Sequence, residues 1–330
     1  MPVIITVNIM SLKYSSWIKP AQQLVQTGTT TAEYQLTLGS GSQNLEFILH
    51  HTMHDHDIVL AGLPRSGSTL TCYLINKLPD AVALNEPMGS RRFKDLPDNN
   101  AIFDAISQFL VSMRGSLEES GTAMSKHIDG VVPDNPVARM KASDGLRKGE
   151  AVLGEVTFNK DLPENFTLLV KHPSAFAALM PELAERFSTF ATIRNPVAVL
   201  SSWNSVSMPL RDGHAPKGEK MDPELQASLS AIPDRLDRQV HLLCWFFERF
   251  STLPAERIIR YEDIIASAGS CLSVLAQSAA GLKEPLESRN RSGEYDADLT
   301  PILVNRLLRE RGAAFWDFYS RSSIEAFNQA

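Results

Sequence analysis

The chain has 330 residues, 43% of them hydrophobic, with 32 Lys and Arg against 38 Asp and Glu, for a formal charge of −6. That length holds one large or two small domains with a sizeable core. The acidic balance argues against a general affinity for nucleic acid or anionic membrane, so any anion site must be a local concentration of donors. Three cysteines, Cys72, Cys244 and Cys271, form no CxxC and no even framework, as expected of free thiols in a reducing compartment. The N-terminal "MPVIITVNIM" lacks a basic n-region and a clear cleavage site, and no run approaches 18 apolar residues. The expectation is a soluble cytoplasmic protein.

Residues 1–41 read as an irregular segment, with "TGTTT" and "GSGSQ" as turn chemistry, and 42–330 as a single α/β domain. "SQNLEFILHHTMHD" has a serine cap and helical periodicity. "DIVLAGLP" is a continuous apolar run suited to a buried parallel strand, "STLTCYLINKL" has helical spacing, and "DAVALNEP" is a short second strand. The pattern recurs: strand "FTLLVKHP", helix "SAFAALMPELAERF" despite Pro181, strand "STFATIRNP", a helix around Ser201, the long amphipathic "PDRLDRQVHLLCWFFERFSTL", and a final strand "ERIIRYEDI". Alternating βα units predict a parallel sheet flanked by helices, with ligands at the carboxyl ends of the strands. Two excursions, 90–160 and 204–233, interrupt the alternation and are expected to form a largely helical lid or acceptor-binding wall, with a structural embellishment as the alternative.

The first strand runs into "AGLPRSGSTL". Gly62 and Gly67 have the spacing of a phosphate-binding loop, G-x-x-x-x-G-K-[ST], but Ser68 stands where the lysine belongs and Thr69 follows. Backbone N–H groups and a helix N-terminus bind one phosphate without a side-chain charge. The missing lysine is the one that reaches along a triphosphate. Arg65 is the cation left in the loop. The combination points away from ATP and towards a nucleotide with a single substituted 5′-phosphate, such as a phosphosulfate, and its logic requires no metal. In "TIRNPVAVLSS", Arg194 ends a strand and Ser202 sits in the first turns of the next helix, a guanidinium and a hydroxyl suited to a second phosphate.

In order and spacing, "GLPRSGSTL", "IRNPVAVLSS" and "RYEDI" resemble the cofactor motifs of sulfotransferases that use 3′-phosphoadenosine 5′-phosphosulfate (PAPS). The resemblance covers residues 57 to about 265, with the PRSGST loop of a bacterial-type member. It implies that Ser66, Gly67, Ser68 and Thr69 hold the 5′-phosphate, that Arg65 sits at the bridging oxygen, that Arg194 and Ser202 hold the 3′-phosphate, and that Tyr261 lies near the adenine. Leu70 stands where some members have an adenine-stacking aromatic. "SRNRSG", with Arg289 and Arg291, is the only counterpart to the basic segment that closes over the cofactor in others.

Sulfuryl transfer to a hydroxyl needs a base. Glu86, in "ALNEPM", ends the second strand, expected next to the first strand in a βαβ unit, and burial is expected to raise its pKa into a useful range. His172 in "LLVKHPS" is the alternative base, and Lys171 beside it is expected to be the inward cation. Because neighbouring strand residues face opposite sides, only one of the two should face the site. His50, His51, His54 and His56 with Asp55 and Asp57 look like metal ligands, but they precede the first strand, at the opposite end of the sheet from the expected site. Trp245 and Phe246 read as core, and "RRFK" (91–94) as a basic turn or an anion contact. The sequence therefore predicts PAPS-dependent transfer to a hydroxyl of a small molecule, glycan or lipid. A P-loop kinase of a small metabolite and a non-catalytic nucleotide-binding module are the alternatives.

Overall fold

The computed structural model of the protein describes residues 54–89, 96 and 98–329. The irregular 1–41 segment, the helix expected from Ser42, His50, His51 and "RRFK" lie outside the described residues. In chain order the elements that matter are β1 (Asp57–Gly62), α1 (Ser68–Ile75), β2 (Ala81–Asn85), α2 (Asn99–Ser120), β3 (Thr122–His127), β4 (Val152–Thr157), β5 (Thr167–Lys171), α3 (Pro173–Ala178), α4 (Glu182–Arg186), β6 (Ser188–Ile193), α5 (Pro196–Asn204), α6 (Pro216–Met221), α7 (Pro223–Ala231), α8 (Arg235–Phe250), β7 (Ile258–Arg260), α9 (Tyr261–Ala266) and α10 (Leu299–Arg309).

Among the described residues, five strands form one parallel sheet in the order β2-β5-β1-β6-β7, flanked by helices. Its class is α/β, and the composition explains it. Every residue of β1, β2 and β5 is buried, and runs such as Ile58–Ala61 and Ala81–Leu84 carry apolar side chains towards both faces. After β1 the chain moves towards β2, and after β6 towards β7. The two loops part between adjacent strands and open a crevice at their carboxyl ends, where open α/β sheets bind ligands.

The strand order corrects one expectation. β2 does not lie beside β1, because β5 is inserted between them, pairing Lys171 with Leu60 on one side and Asn85 on the other. Three further differences have local causes. The helix expected over 174–187 is two short helices, α3 and α4, separated at Pro181, which has no N–H for an intrahelical bond. The final strand is only Ile258–Arg260, and Tyr261 opens a helix. The 90–160 excursion contains α2, capped by Asp98 and ended by Gly121 at φ 67°, but it continues as an antiparallel β3–β4 ribbon. The wall it presents to the crevice is thus ribbon and loop, not helix. Trp245 and Phe246 are buried in the core, as read from the sequence.

Candidate functional site

The β1–α1 turn is built to leave donors exposed at a helix start. Ser66 Oγ donates to the Thr192 carbonyl (2.9 Å) and shares a hydrogen with Thr192 Oγ1 (2.8 Å), tying the loop to β6. The Ser66 N–H is taken by the Leu63 carbonyl (3.1 Å). The hydroxyl and the N–H of Ser66 are therefore both engaged within the protein, and Ser66 does not line the crevice. Gly67 then turns at φ 88°, and a Cβ there would lie 2.8 Å from the Tyr261 ring, so only glycine fits. α1 begins with no side-chain cap, leaving the first-turn N–H groups of Ser68 and Thr69 as an anion cradle.

β5 delivers Lys171 beside this cradle. Its Nζ donates to Asn85 Oδ1 (2.9 Å), Thr69 Oγ1 (3.1 Å) and Glu86 Oε1 (3.3 Å), so three donors meet three acceptors in a nearly fully buried setting. Burial lowers the Lys171 pKa, opposed by Glu86. Glu86 keeps its N–H on the Lys171 carbonyl (2.8 Å) and then turns at φ 47°, a conformation that costs a non-glycine residue energy and swings the carboxylate into the crevice. There Oε2 accepts from both Lys126 Nζ of β3 and Lys217 Nζ of α6, each at 2.8 Å. Burial alone would raise the Glu86 pKa, but Lys171, Lys217 and Lys126 together hold it well below the usual carboxylate value. The expectation of a raised pKa is reversed, because three ammonium groups outweigh desolvation.

His172 turns away. Its Nε2 accepts the Met88 N–H (3.1 Å), its ring packs edge-on to Phe176 at 5.2 Å between centroids, and it is 1% exposed. Burial, then the nearby lysines, keep its pKa well below the ordinary histidine range. With its acceptor nitrogen committed, it does not line the crevice and is not placed to act as a base.

Arg65 and Arg194 come together on the β6 side. Arg65, at φ 74°, donates through Nε to Ser202 Oγ (3.2 Å) and through Nη1 to Asn135 Oδ1 (3.1 Å). Arg194 donates to the Arg65 carbonyl (3.0 Å), Asn290 Oδ1 (2.8 Å), Tyr295 Oη (3.1 Å) and the Arg289 carbonyl, and its guanidinium lies 4.5 Å above the Tyr261 ring. Ser202 is fully buried and does not open to the crevice. Its hydroxyl is held by the Arg65 side chain, and the Arg65 carbonyl is held by Arg194, so the structure brings these three sequence-predicted residues together. The "SRNRSG" segment does reach the site: the Arg289 N–H donates to Tyr261 Oη (2.8 Å). Arg291 does not, donating to the Ala326 carbonyl (2.7 Å) beside Phe327.

Arg65, Glu86, Lys126, Lys171, Arg194 and Lys217 line a crevice of about 1040 Å³, in which eight Lys and Arg face five carboxylates on a chain of net negative charge. Leu70, noted above as standing where some sulfotransferases have an aromatic, is on its wall. Lys126, Lys217, Asn135 and Arg147 had no sequence signal, being isolated residues in excursions without periodicity. His54 and His56 stack at 5.9 Å, Asp57 is held by Arg114, and no group of three potential metal ligands occurs among the described residues. Nor is any described helix long and apolar enough to cross a membrane.

No family profile matches the chain, and no curated protein does. Among solved structures it is similar to the sulfotransferase STF1 of Mycobacterium tuberculosis, at 11% identity over 74% of this chain and 73% of that one, with a TM-score of 0.29. It is also similar to the sulfotransferase STF9 of Mycobacterium avium, at 13% identity over 83% and 75%, with a TM-score of 0.28. Likeness this distant does not speak to the reaction; the fold class rests on the strand order itself.

Proposed function

We propose that the protein is a sulfotransferase that moves the sulfuryl group of PAPS to a hydroxyl of a small molecule, glycan or lipid. The observation that carries the reading is the uncapped start of α1, lacking a P-loop lysine at Ser68, set beside a Lys171–Glu86 pair. The first-turn amides of α1 would hold the 5′-phosphate, and Lys171 would neutralise charge on the sulfuryl oxygens. The acceptor oxygen bonds to sulfur as the bond from sulfur to the 5′-phosphate oxygen breaks, and the hydroxyl proton passes to Glu86. A carboxylate kept ionised by three lysines is a weak base but is always in the receptive state. Catalysis then comes chiefly from positioning and electrostatic stabilisation. Arg65 and Arg194 would hold the 3′-phosphate, with Ser202 fixing the Arg65 guanidinium from behind and Tyr261 beneath Arg194.

The test is metal-free calorimetric titration with 3′-phosphoadenosine 5′-phosphate, adenosine 5′-phosphate and ATP, repeated on Arg194→Ala. Tight binding that depends on the 3′-phosphate and weakens in the variant is expected. Equal or better binding of ATP with Mg²⁺ would return the site to a kinase. Binding without turnover of PAPS with any acceptor, and unaffected by Glu86→Gln, would leave a nucleotide-binding module.

A further inference from the structure

We infer that Arg147, carried by the connection between β3 and β4, is a third guanidinium of the anion position formed by Arg65 and Arg194 and grips the phosphate held there. The inference rests on the proposed use of a 3′-phosphorylated nucleotide. Arg147 is 7% exposed yet borders the crevice. Its Nη2 donates to Ser205 Oγ (2.8 Å), while its Nε is buried with no partner. The backbone on both sides is pinned to the end of α5: the Arg147 N–H donates to the Ser205 carbonyl (3.2 Å) and the Ser207 N–H to the Arg147 carbonyl (2.9 Å). Ser205 Oγ in turn donates to the carbonyl (2.9 Å) of Ser202, the residue whose hydroxyl Arg65 occupies.

Arg65, Arg147 and Arg194 border the same crevice, and burial first, then Arg147 and Arg194, lower the Arg65 pKa to about 10 against the opposing effect of Tyr295. Among the described residues no carboxylate pairs with any of them. A buried cation without a counter-ion and a buried N–H without an acceptor are each costly. A role in fastening the loop explains the Ser205 bonds but leaves both the charge and the idle Nε unaccounted for. A phosphate supplies two negative charges and several acceptor oxygens, which completes both. The same connection carries Asn135, the Arg65 partner, and lines the crevice from Pro133 to Val137. Donor binding would therefore also fasten the wall that faces the acceptor.

The experiment compares 3′-phosphoadenosine 5′-phosphate with adenosine 5′-phosphate by calorimetry on the wild-type chain, Arg147→Gln, Arg147→Lys and Ser205→Ala, with a thermal melt of each. Arg147→Gln is expected to weaken the bisphosphate roughly ten- to a hundredfold while adenosine 5′-phosphate stays within about twofold. Arg147→Lys should recover part of the loss. Ser205→Ala, which keeps the charge but loosens its anchor, should lose only a few-fold. Wild-type bisphosphate affinity in Arg147→Gln, or equal losses for both nucleotides, would overturn the inference while leaving the sulfotransferase reading standing. A wild-type chain that does not distinguish the two nucleotides would overturn that reading, and the inference with it. If Arg147→Gln fails to fold, the difference between the two nucleotides in Arg147→Lys and Ser205→Ala decides.

Discussion

At Glu86 one carboxylate faces three ammonium groups, and the balance of charge sets its chemistry. A carboxylate whose folded pKa is depressed contributes stability above its unfolded pKa, and that contribution is lost only as pH falls through the lower folded value. Its proton-accepting form is likewise kept on acidification. We therefore expect kcat/KM for sulfuryl transfer to show no acid limb from Glu86 between about pH 8 and pH 5. Replacing Lys126 and Lys217 by Gln removes two of the three opposing charges and lets burial raise the pKa, so an acid limb should move up into the measured range. The alkaline side belongs to Lys171, whose lowered pKa predicts a decline below the ordinary lysine value of 10.5. Glu86→Gln should lower kcat roughly a hundredfold or more with little change in nucleotide affinity, since the group is assigned to proton transfer and not to phosphate binding.

At the scale of elements, the β1–α1 turn couples the uncapped start of α1 to distant parts of the chain. Gly67 meets the Tyr261 ring, and Tyr261 lies under Arg194, so this backbone position is linked to the Arg194 guanidinium through one aromatic ring. Gly67→Ala combines a left-handed φ with a 2.8 Å clash, and is expected to cost roughly 1–3 kcal/mol in urea unfolding. It should also weaken the bisphosphate nucleotide. The turn was legible in the sequence because glycine spacing after an apolar strand is a local signal. Its partners were not, because Asn135, Thr192 and Tyr261 come from segments 70 or more positions away from the residues they meet, which only folding brings near. The β3–β4 ribbon was missed for a related reason: its strands carry Gly154 and exposed Val152 and Leu153, without the alternation that marks a half-buried strand.

For the whole molecule, the amino end of the sheet is held by a different device from its carboxyl end. Arg114 of α2 pairs with Asp57 at the start of β1, donates to the Phe166 carbonyl (3.1 Å) and lies 4.2 Å over the Phe166 ring. Both partners are buried, so Arg114→Leu leaves an uncompensated carboxylate and should cost about 3–5 kcal/mol, read as a fall in Tm. Asp57→Asn in the same chain should restore part of that. Asp57 lies five residues before Gly62, roughly 16 Å along the strand. The nucleotide affinity of the folded Arg114→Leu protein should therefore be unchanged, which separates a structural pair from the site.

By itself, the sequence determined the parallel α/β class, the glycine loop at the end of β1, and the chemical types available at each strand end. Apolar runs, glycine spacing and helix caps act within a few residues, and their physics is local. Only the tertiary structure decided that β5 separates β1 from β2, which sets Lys171 between Thr69 and Glu86. It also decided the sign of the Glu86 pKa shift, the withdrawal of His172, and the meeting of Arg147 with Ser205. Strand order and long-range charge clustering depend on the packing of segments that share no local pattern. A pKa is the sum of whatever charges that packing gathers.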